Sequence, residues 1–150
     1  MKTHRFYLPI FLLAALMGLA LTARGADHAT IEGILITASS EPGQTDRRLA
    51  AFEPTLRRIL RFESYRFAGE GSASVNVPGE ETLAIGRGHE LAVTVERSDG
   101  KSMQVKVRWT AEGRTLMNTG LVLRPGVPAV LGGPSTGNKG EVYAVIVVGR

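Results

Sequence analysis

The residues that most resemble a catalytic nucleophile form a G-x-S-x-G pattern, Gly133–Gly137, with Ser135 at its centre. In α/β-hydrolases this pattern places the serine between a strand and a helix, and an acidic residue and a histidine follow it. Here Asn138-Lys139-Gly140 predicts a turn leading into a strand, and no histidine follows Ser135. We therefore interpret the pentapeptide as a Gly/Pro-rich turn and predict no catalytic residue in it.

The same glycine-rich stretch, residues 132–139, superficially matches a phosphate-binding loop. A Walker loop needs Gly-Lys-Ser/Thr at the start of a helix, so that backbone N–H groups meet the phosphates. Lys139 is instead followed by Gly140 and a predicted strand. We predict no cofactor site, and a small anion-binding nest of backbone amides is the alternative.

Metal binding and acid–base catalysis are also disfavoured by the residues available. The chain has no cysteine, and only His28 and His89 follow the first 25 residues. A zinc site uses three or four protein ligands, and His28 and Glu32 do not converge if they lie on a strand. His89 is interpreted as a solvated strand entry, and the adjacent Glu80 and Glu81 would point to opposite faces. The sequence predicts no metal site and no enzyme.

The most concrete polar feature is a basic face on the one predicted helix, residues 45–62. Thr45 or Asp46 is suited to cap this helix, and Pro54 either kinks it or begins its regular part. At about 100° per residue, one arc collects the apolar residues Leu49, Phe52, Leu56, Ile59 and Leu60. The opposite side carries the candidate partner-binding residues Arg47, Arg57, Arg58 and Arg61. This side would meet an acidic protein, lipid head groups or an anionic cell-wall polymer, or it is simply solvated.

The N-terminus has the pattern of a secretory signal peptide, residues 1–25. A basic start precedes an apolar run of 16 residues, Phe6–Leu21, and small residues at Ala23 and Gly25 suit cleavage after Gly25. The run is short for a membrane span, which needs about 20 apolar residues. No cysteine follows it, so no lipid anchor is expected. We predict export to the periplasm or beyond the cell, with an uncleaved anchor as the alternative.

Cleavage would change the charge of the working protein. Of 18 Lys and Arg residues, Lys2, Arg5 and Arg24 precede the cut, which leaves 15 against 14 acidic residues and a net charge of about +1. The sequence pI of 9.9 therefore overstates the basicity of the mature chain. No electrostatic argument for nucleic acid remains.

The mature residues 26–150 predict a single β-rich domain. Nearly continuous apolar runs at 31–38 and 141–148 predict strands buried on both faces, which we place centrally. Strict alternation at 91–96 and 103–110 predicts half-buried strands. Between them we expect a three-residue loop, Ser98–Gly100, with Gly100 left-handed and Val95 opposite Met103. A second loop, 112–114, would place Trp109, a predicted core residue with an exposed ligand platform as the alternative, opposite Met117.

The predicted fold class is mainly β (α+β): an antiparallel β-sandwich or partly open barrel, with one amphipathic helix after the first strand. The helix is expected to cover an end or an open face of this fold. About seven strands should follow it in meander order, since turns recur about every 8–12 residues. A chain of this size can bury a core without disulfides.

Two stretches resemble the corresponding parts of small exported bacterial proteins of unassigned function. These are the tail 121–134, followed by Gly140 and an apolar strand, and the spaced residues Asp46, Leu49, Leu56 and Tyr65. The tail is also similar to the gain-of-glycine segment of outer-membrane secretin domains. The resemblance implies a fold and an envelope-assembly context.

The function that these features favour is an exported, non-catalytic β-domain that binds or assembles with bacterial envelope components. An envelope or secretion-machine protein is the expected partner. The alternatives are a small ligand-binding barrel with a hydrophobic interior and a small hydrolase.

Overall fold

Two four-stranded antiparallel sheets face each other in the computed structural model, which describes residues 27–150. The predicted signal peptide and its cleavage site lie outside these residues. The strands are β1 (His28–Ser39), β2 (Ser64–Asn76), β3 (Gly79–Gly86), β4 (His89–Ser98), β5 (Met103–Ala111), β6 (Arg114–Leu123), β7 (Ala129–Ser135) and β8 (Glu141–Gly149). A 3₁₀ turn, Arg47–Leu49, and the helix α1, Glu53–Leu60, connect β1 to β2. The predicted mainly β class is confirmed, and of the two architectures the sandwich is the one formed.

The two sheets differ in what covers them. One sheet has the strand order β2-β1-β8-β7 and the other has β3-β4-β5-β6. We call the first the helix-covered sheet, because residues of α1 pack on its outer face, and the second the open sheet. As predicted, the first and last strands are central. The predicted meander of about seven strands is limited to β3 to β6, because β2 pairs with β1 and β7 pairs with β8.

The main core lies between the sheets. From the helix-covered sheet, β1 contributes Ile31 and Leu35, and β8 contributes Val145 and Val147. The open sheet contributes every second residue of β4 and β5, the ones that point inward, among them Leu91, Val93, Val95, Val105, Val107 and Trp109. Trp109 is completely buried, which confirms its assignment to the core.

A second apolar cluster joins α1 to the outer face of the helix-covered sheet. Leu49 and Leu56 are fully buried against the outward residues of the central strands. Those outward residues are Ile34, Ile36, Ala38, Ala144 and Ile146. Both faces of β1 and β8 are therefore covered, which is why their sequences are apolar without alternation.

The helix begins where proline permits it. Its regular part runs from Glu53, with Pro54 in the first turn, where no intrahelical N–H bond is lost. Asp46 caps the preceding 3₁₀ turn, because its carboxylate accepts a hydrogen bond of 3.0 Å from the backbone N–H of Arg48. Of the two possibilities for Pro54, a kink or a helix start, the structure has the helix start.

The first predicted hairpin has the right faces but the wrong register. Val95 lies opposite Val105 rather than Met103, and the loop is the four residues 99–102. Two features cause the difference: a bulge between Val95 and Arg97, and the carboxylate of Asp99, which accepts 2.9 Å bonds from the backbone N–H groups of residues 101 and 102. Gly100 has φ of 84°, the left-handed conformation that was predicted.

The second hairpin has the predicted pairing. Trp109 lies opposite Met117, Val107 opposite Thr119 and Val105 opposite Leu121. The loop itself is shorter than predicted, because Glu112 and Gly113 form a two-residue turn with φ of 49° and 78°. These values match a type I′ turn. A bulge between Trp109 and Thr110 restores the register.

Candidate functional site

The four predicted partner-binding arginines all have exposed side chains on the helical segment. Arg57 is held by the fold: its Nε donates to Glu53 Oε1 at 2.9 Å and its guanidinium donates to the Glu63 carbonyl at 3.1 Å. Within residues 27–150, Arg47, Arg58 and Arg61 form no ion pair. Three of the four predicted charges are thus directed to solvent, and the fourth is engaged by Glu53 and by the Glu63 carbonyl just beyond the helix.

Arg48, which was not among the predicted residues, also belongs to the structure of this segment. It pairs with Asp46 at 2.9 Å, and its guanidinium carbon lies 4.0 Å from the centre of the Phe67 ring. The hydrogen bonds from Arg48 lower the pKa of Asp46 to about 2. Arg48 is therefore occupied with the cap and the underlying ring.

Ile59 lies on the solvent side of α1, contrary to the prediction that placed it in the buried arc. Its exposed fraction is 48%, one of the largest for an apolar residue in the described chain. Leu56 is buried and Leu60 is half-buried, so one ridge of this short helix contacts the sheet. Ile59 lies about 100° around the helix from Leu60, so a contact centred on Leu56 and Leu60 leaves Ile59 outside it. We call Ile59 and its exposed neighbours Arg58 and Arg61 the arginine face; Arg47 lies on the separate 3₁₀ turn.

A second polar cluster centres on His89, for which the solvated interpretation is wrong. His89 is 5% exposed, and its Nδ1 accepts a 2.9 Å hydrogen bond from the indole Nε1–H of Trp109. The imidazole also packs on Tyr143, with the ring centres 4.6 Å apart. A signal for this burial is present in the sequence. His89 is in phase with Leu91 and the other inward residues of β4, and a core tryptophan needs an acceptor for its N–H.

The His89 cluster lies at one end of the sandwich beside a cavity of about 200 Å³. Two exposed turn residues, Arg87 and Glu112, also line this cavity, and their turns meet through a 3.1 Å bond from the Glu112 N–H to the Gly88 carbonyl. Burial lowers the pKa of His89, with Glu112 acting in the opposite direction and Arg87 in the same direction. The geometry and this shift both favour the neutral imidazole.

A groove of about 480 Å³ lies on the outer face of the helix-covered sheet. It contains Glu32 and Glu70 together with the terminal Arg150, whose guanidinium is 3.9 Å from Glu32. Two hydroxyl groups, from Thr30 and Ser72, also line it. The groove offers little specific chemistry to a ligand, since all its charged groups face solvent.

The segments considered for catalysis are dispersed. Ser135 ends β7, its Oγ accepts a 3.1 Å bond from the Gly137 N–H, and β8 rather than a helix follows. Glu80 accepts a 3.2 Å bond from the Thr94 hydroxyl, and the adjacent Glu81 is also exposed. Across residues 27–150 no group of three His, Asp or Glu side chains is placed to hold a metal ion.

The helices of the described chain are too short and polar to span a membrane. Comparison with known proteins adds no relative: no family model, no curated protein and no solved structure matches this chain significantly. What the chain does must therefore be argued from its own surfaces.

Proposed function

We propose that this chain is an exported, non-catalytic β-sandwich domain that binds an acidic protein of the bacterial cell envelope through its arginine face. The observation that carries the proposal is the exposure of Ile59 beside Arg58 and Arg61, which form no ion pair with residues 27–150. An apolar side chain flanked by arginines has the composition of a protein-binding hot spot, in which arginine is enriched.

The geometry favours an acidic protein over a lipid surface. Leu56 and Leu60, which would be the apolar side of a membrane-bound helix, pack instead on the helix-covered sheet. The outward side offers Ile59 alone for insertion, whereas interfacial helices bury a wide apolar face. Guanidinium groups bind carboxylates in bidentate fashion, so a partner rich in Asp and Glu fits this face.

Photo-crosslinking in cells tests the proposal. A photoreactive residue at the exposed Ala51, next to α1, should yield a crosslinked envelope protein with an acidic surface. Reversal of two charges, Arg58→Glu with Arg61→Glu, should lower the yield by about tenfold or more, since like charges then face each other. Ile59→Ser should lower it as well.

The matched control reverses two exposed arginines outside the helical segment, Arg97→Glu with Arg124→Glu. This variant has the same net charge as the double mutant and should keep the wild-type yield. Equal loss in both variants would show that net charge alone matters, and unchanged capture by the α1 variant would leave the arginine face as a solvated surface. Either result contradicts the proposal.

A separate observation favours the ligand-binding alternative. Side chains fill the space between the sheets, but the cavity beside His89 is open at the end of the sandwich. The chemistry of this cavity does not depend on the arginine face.

A further inference from the structure

The cavity beside His89 offers one hydrogen-bond donor from its buried wall. The indole of Trp109 can only donate, so Nδ1 of His89 must accept, and the neutral imidazole then carries its proton on Nε2. Nε2 has no hydrogen-bond partner in residues 27–150. In that range, Thr45 Oγ1 is the one fully buried side-chain polar atom without a partner, so Nε2 is accessible from the cavity.

The exposed side of the cavity carries two opposite charges. Arg87 and Glu112 lie in adjacent left-handed turns, with φ of 53° and 49°. Both are exposed, and within the described chain neither forms an ion pair with the other or with a third residue. Both line the same cavity as the His89 ring.

The remaining walls are apolar. Leu116 and Pro134 line the cavity from opposite sheets, and the Tyr143 ring packs on the imidazole. A volume of about 200 Å³ equals that of roughly six or seven water molecules at about 30 Å³ each. The space suits a small molecule with a compact apolar group.

We propose that this cavity binds a small zwitterion, an α-amino acid with an apolar side chain. The carboxylate would accept a hydrogen bond from His89 Nε2–H and pair with Arg87, while the ammonium group would pair with Glu112. The apolar side chain would lie against Leu116, Pro134 and the Tyr143 ring. A ligand with one charge would leave either Arg87 or Glu112 without a partner.

Titration followed by NMR tests this site directly. Trp109 is the only tryptophan of the chain, so its indole N–H gives a single resonance that reports on the hydrogen bond to His89. L-leucine should shift this resonance saturably. Isocaproate, which lacks the amino group, and isoamylamine, which lacks the carboxylate, should each bind about tenfold or more weakly, the usual effect of losing a charge-assisted bond.

Charge-neutral variants at the turns separate binding from folding. Arg87→Gln and Glu112→Gln remove exposed charges, so the fold should persist and leucine should bind about tenfold more weakly to each. Arg114→Gln, in the same hairpin as Glu112 but outside the cavity lining, should bind leucine as the wild type does. The site assignment is overturned if leucine causes no saturable shift, if isocaproate binds equally tightly, or if both cavity variants bind leucine normally.

Discussion

The two sheets of this protein differ in how many of their faces are covered. The central strands of the helix-covered sheet are packed on both faces, and those of the open sheet on one. In β8, six consecutive residues from Ala144 to Gly149 are buried, because one face meets the open sheet and the other meets α1 and its flanking segments. In β5, buried residues such as Val105 and Val107 alternate with exposed ones such as Lys106. The spacing of apolar residues along a strand therefore shows whether one or both of its faces are covered.

The uncovered face of the open sheet is held by polar contacts between neighbouring strands. Lys106 pairs with Glu96 at 2.9 Å, and the Thr94 hydroxyl bonds to Glu80 at 3.2 Å. Such exposed pairs contribute little to stability, because water and salt screen the charges. The helix-covered sheet should therefore lose far more stability than the open sheet when outward side chains are truncated.

The largest expected effect is at Ile146, an outward residue of β8 that is fully buried under the helical segment. Ile146→Ala should lower the free energy of unfolding by about 2–5 kcal/mol, since it leaves a cavity. Lys106→Ala, outward on the central strand β5, should leave it nearly unchanged, because its ion pair is exposed to solvent. Urea denaturation followed by Trp109 fluorescence measures both, and similar losses would contradict the contrast between the sheets.

The same contrast exists within α1, between its sheet side and its solvent side. Leu56 is fully buried and Ile59 is 48% exposed. Leu56→Ala should cost about 2–5 kcal/mol, whereas Ile59→Ala should stay within about 1 kcal/mol. Both changes leave helix propensity favourable, so denaturation midpoints compare burial directly. A large loss at Ile59 would show that it is a packing residue and would also weaken the proposed arginine face.

An intermediate effect on stability is expected from substitutions at two glycines, which lie on the edge strands β7 and β6. A β-carbon at Gly133 would overlap the Trp109 ring, whereas one at Gly120 would meet nothing within 4 Å. Gly133→Ala should destabilise the fold by about 1–3 kcal/mol through overpacking. Gly120→Ala should be neutral or slightly stabilising, since glycine weakens strands. Thermal denaturation of the two variants distinguishes close packing from general loss of a glycine, and equal midpoints would refute the Trp109 contact.

The smallest effect is a pH dependence at His89, between the two sheets. Its pKa is lowered below the ordinary 6.5 by burial and by Arg87, with Glu112 opposing. The unfolded chain then binds more protons between the two pKa values, so stability is full above pH 6.5 and falls as the pH drops below it. The charged or titratable groups around the ring are Arg87, Glu112 and Tyr143.

Unfolding free energies measured from pH 7 downward test this dependence. His89→Asn should remove the decrease just below pH 6.5, while the same change at the exposed His28 should leave it in place. A decrease that persists in the His89 variant would assign the dependence to other groups.

Much of the fold could be predicted because burial leaves a periodic pattern. The central positions of β1 and β8, the burial of Trp109 and the pairing of Trp109 with Met117 all follow from which residues must share a face. The register of the first hairpin was not predictable in this way. A shift of two residues keeps every side chain on its face, so Asp99 and a bulge decided between equivalent patterns.

At the candidate sites, what the sequence determined can be separated more clearly from what only the tertiary structure decided. The sequence by itself determined that Arg57 and Arg58 lie on a helix and that the fold is a β-sandwich or a barrel, because local spacing fixes faces. Only the tertiary structure decided that Ile59 is exposed and that Arg48 lies over the Phe67 ring of β2. It also placed His89 between Trp109 and Tyr143, which come from different sheets. Contacts between distant strands depend on how the sheets stack, and no local pattern encodes that arrangement.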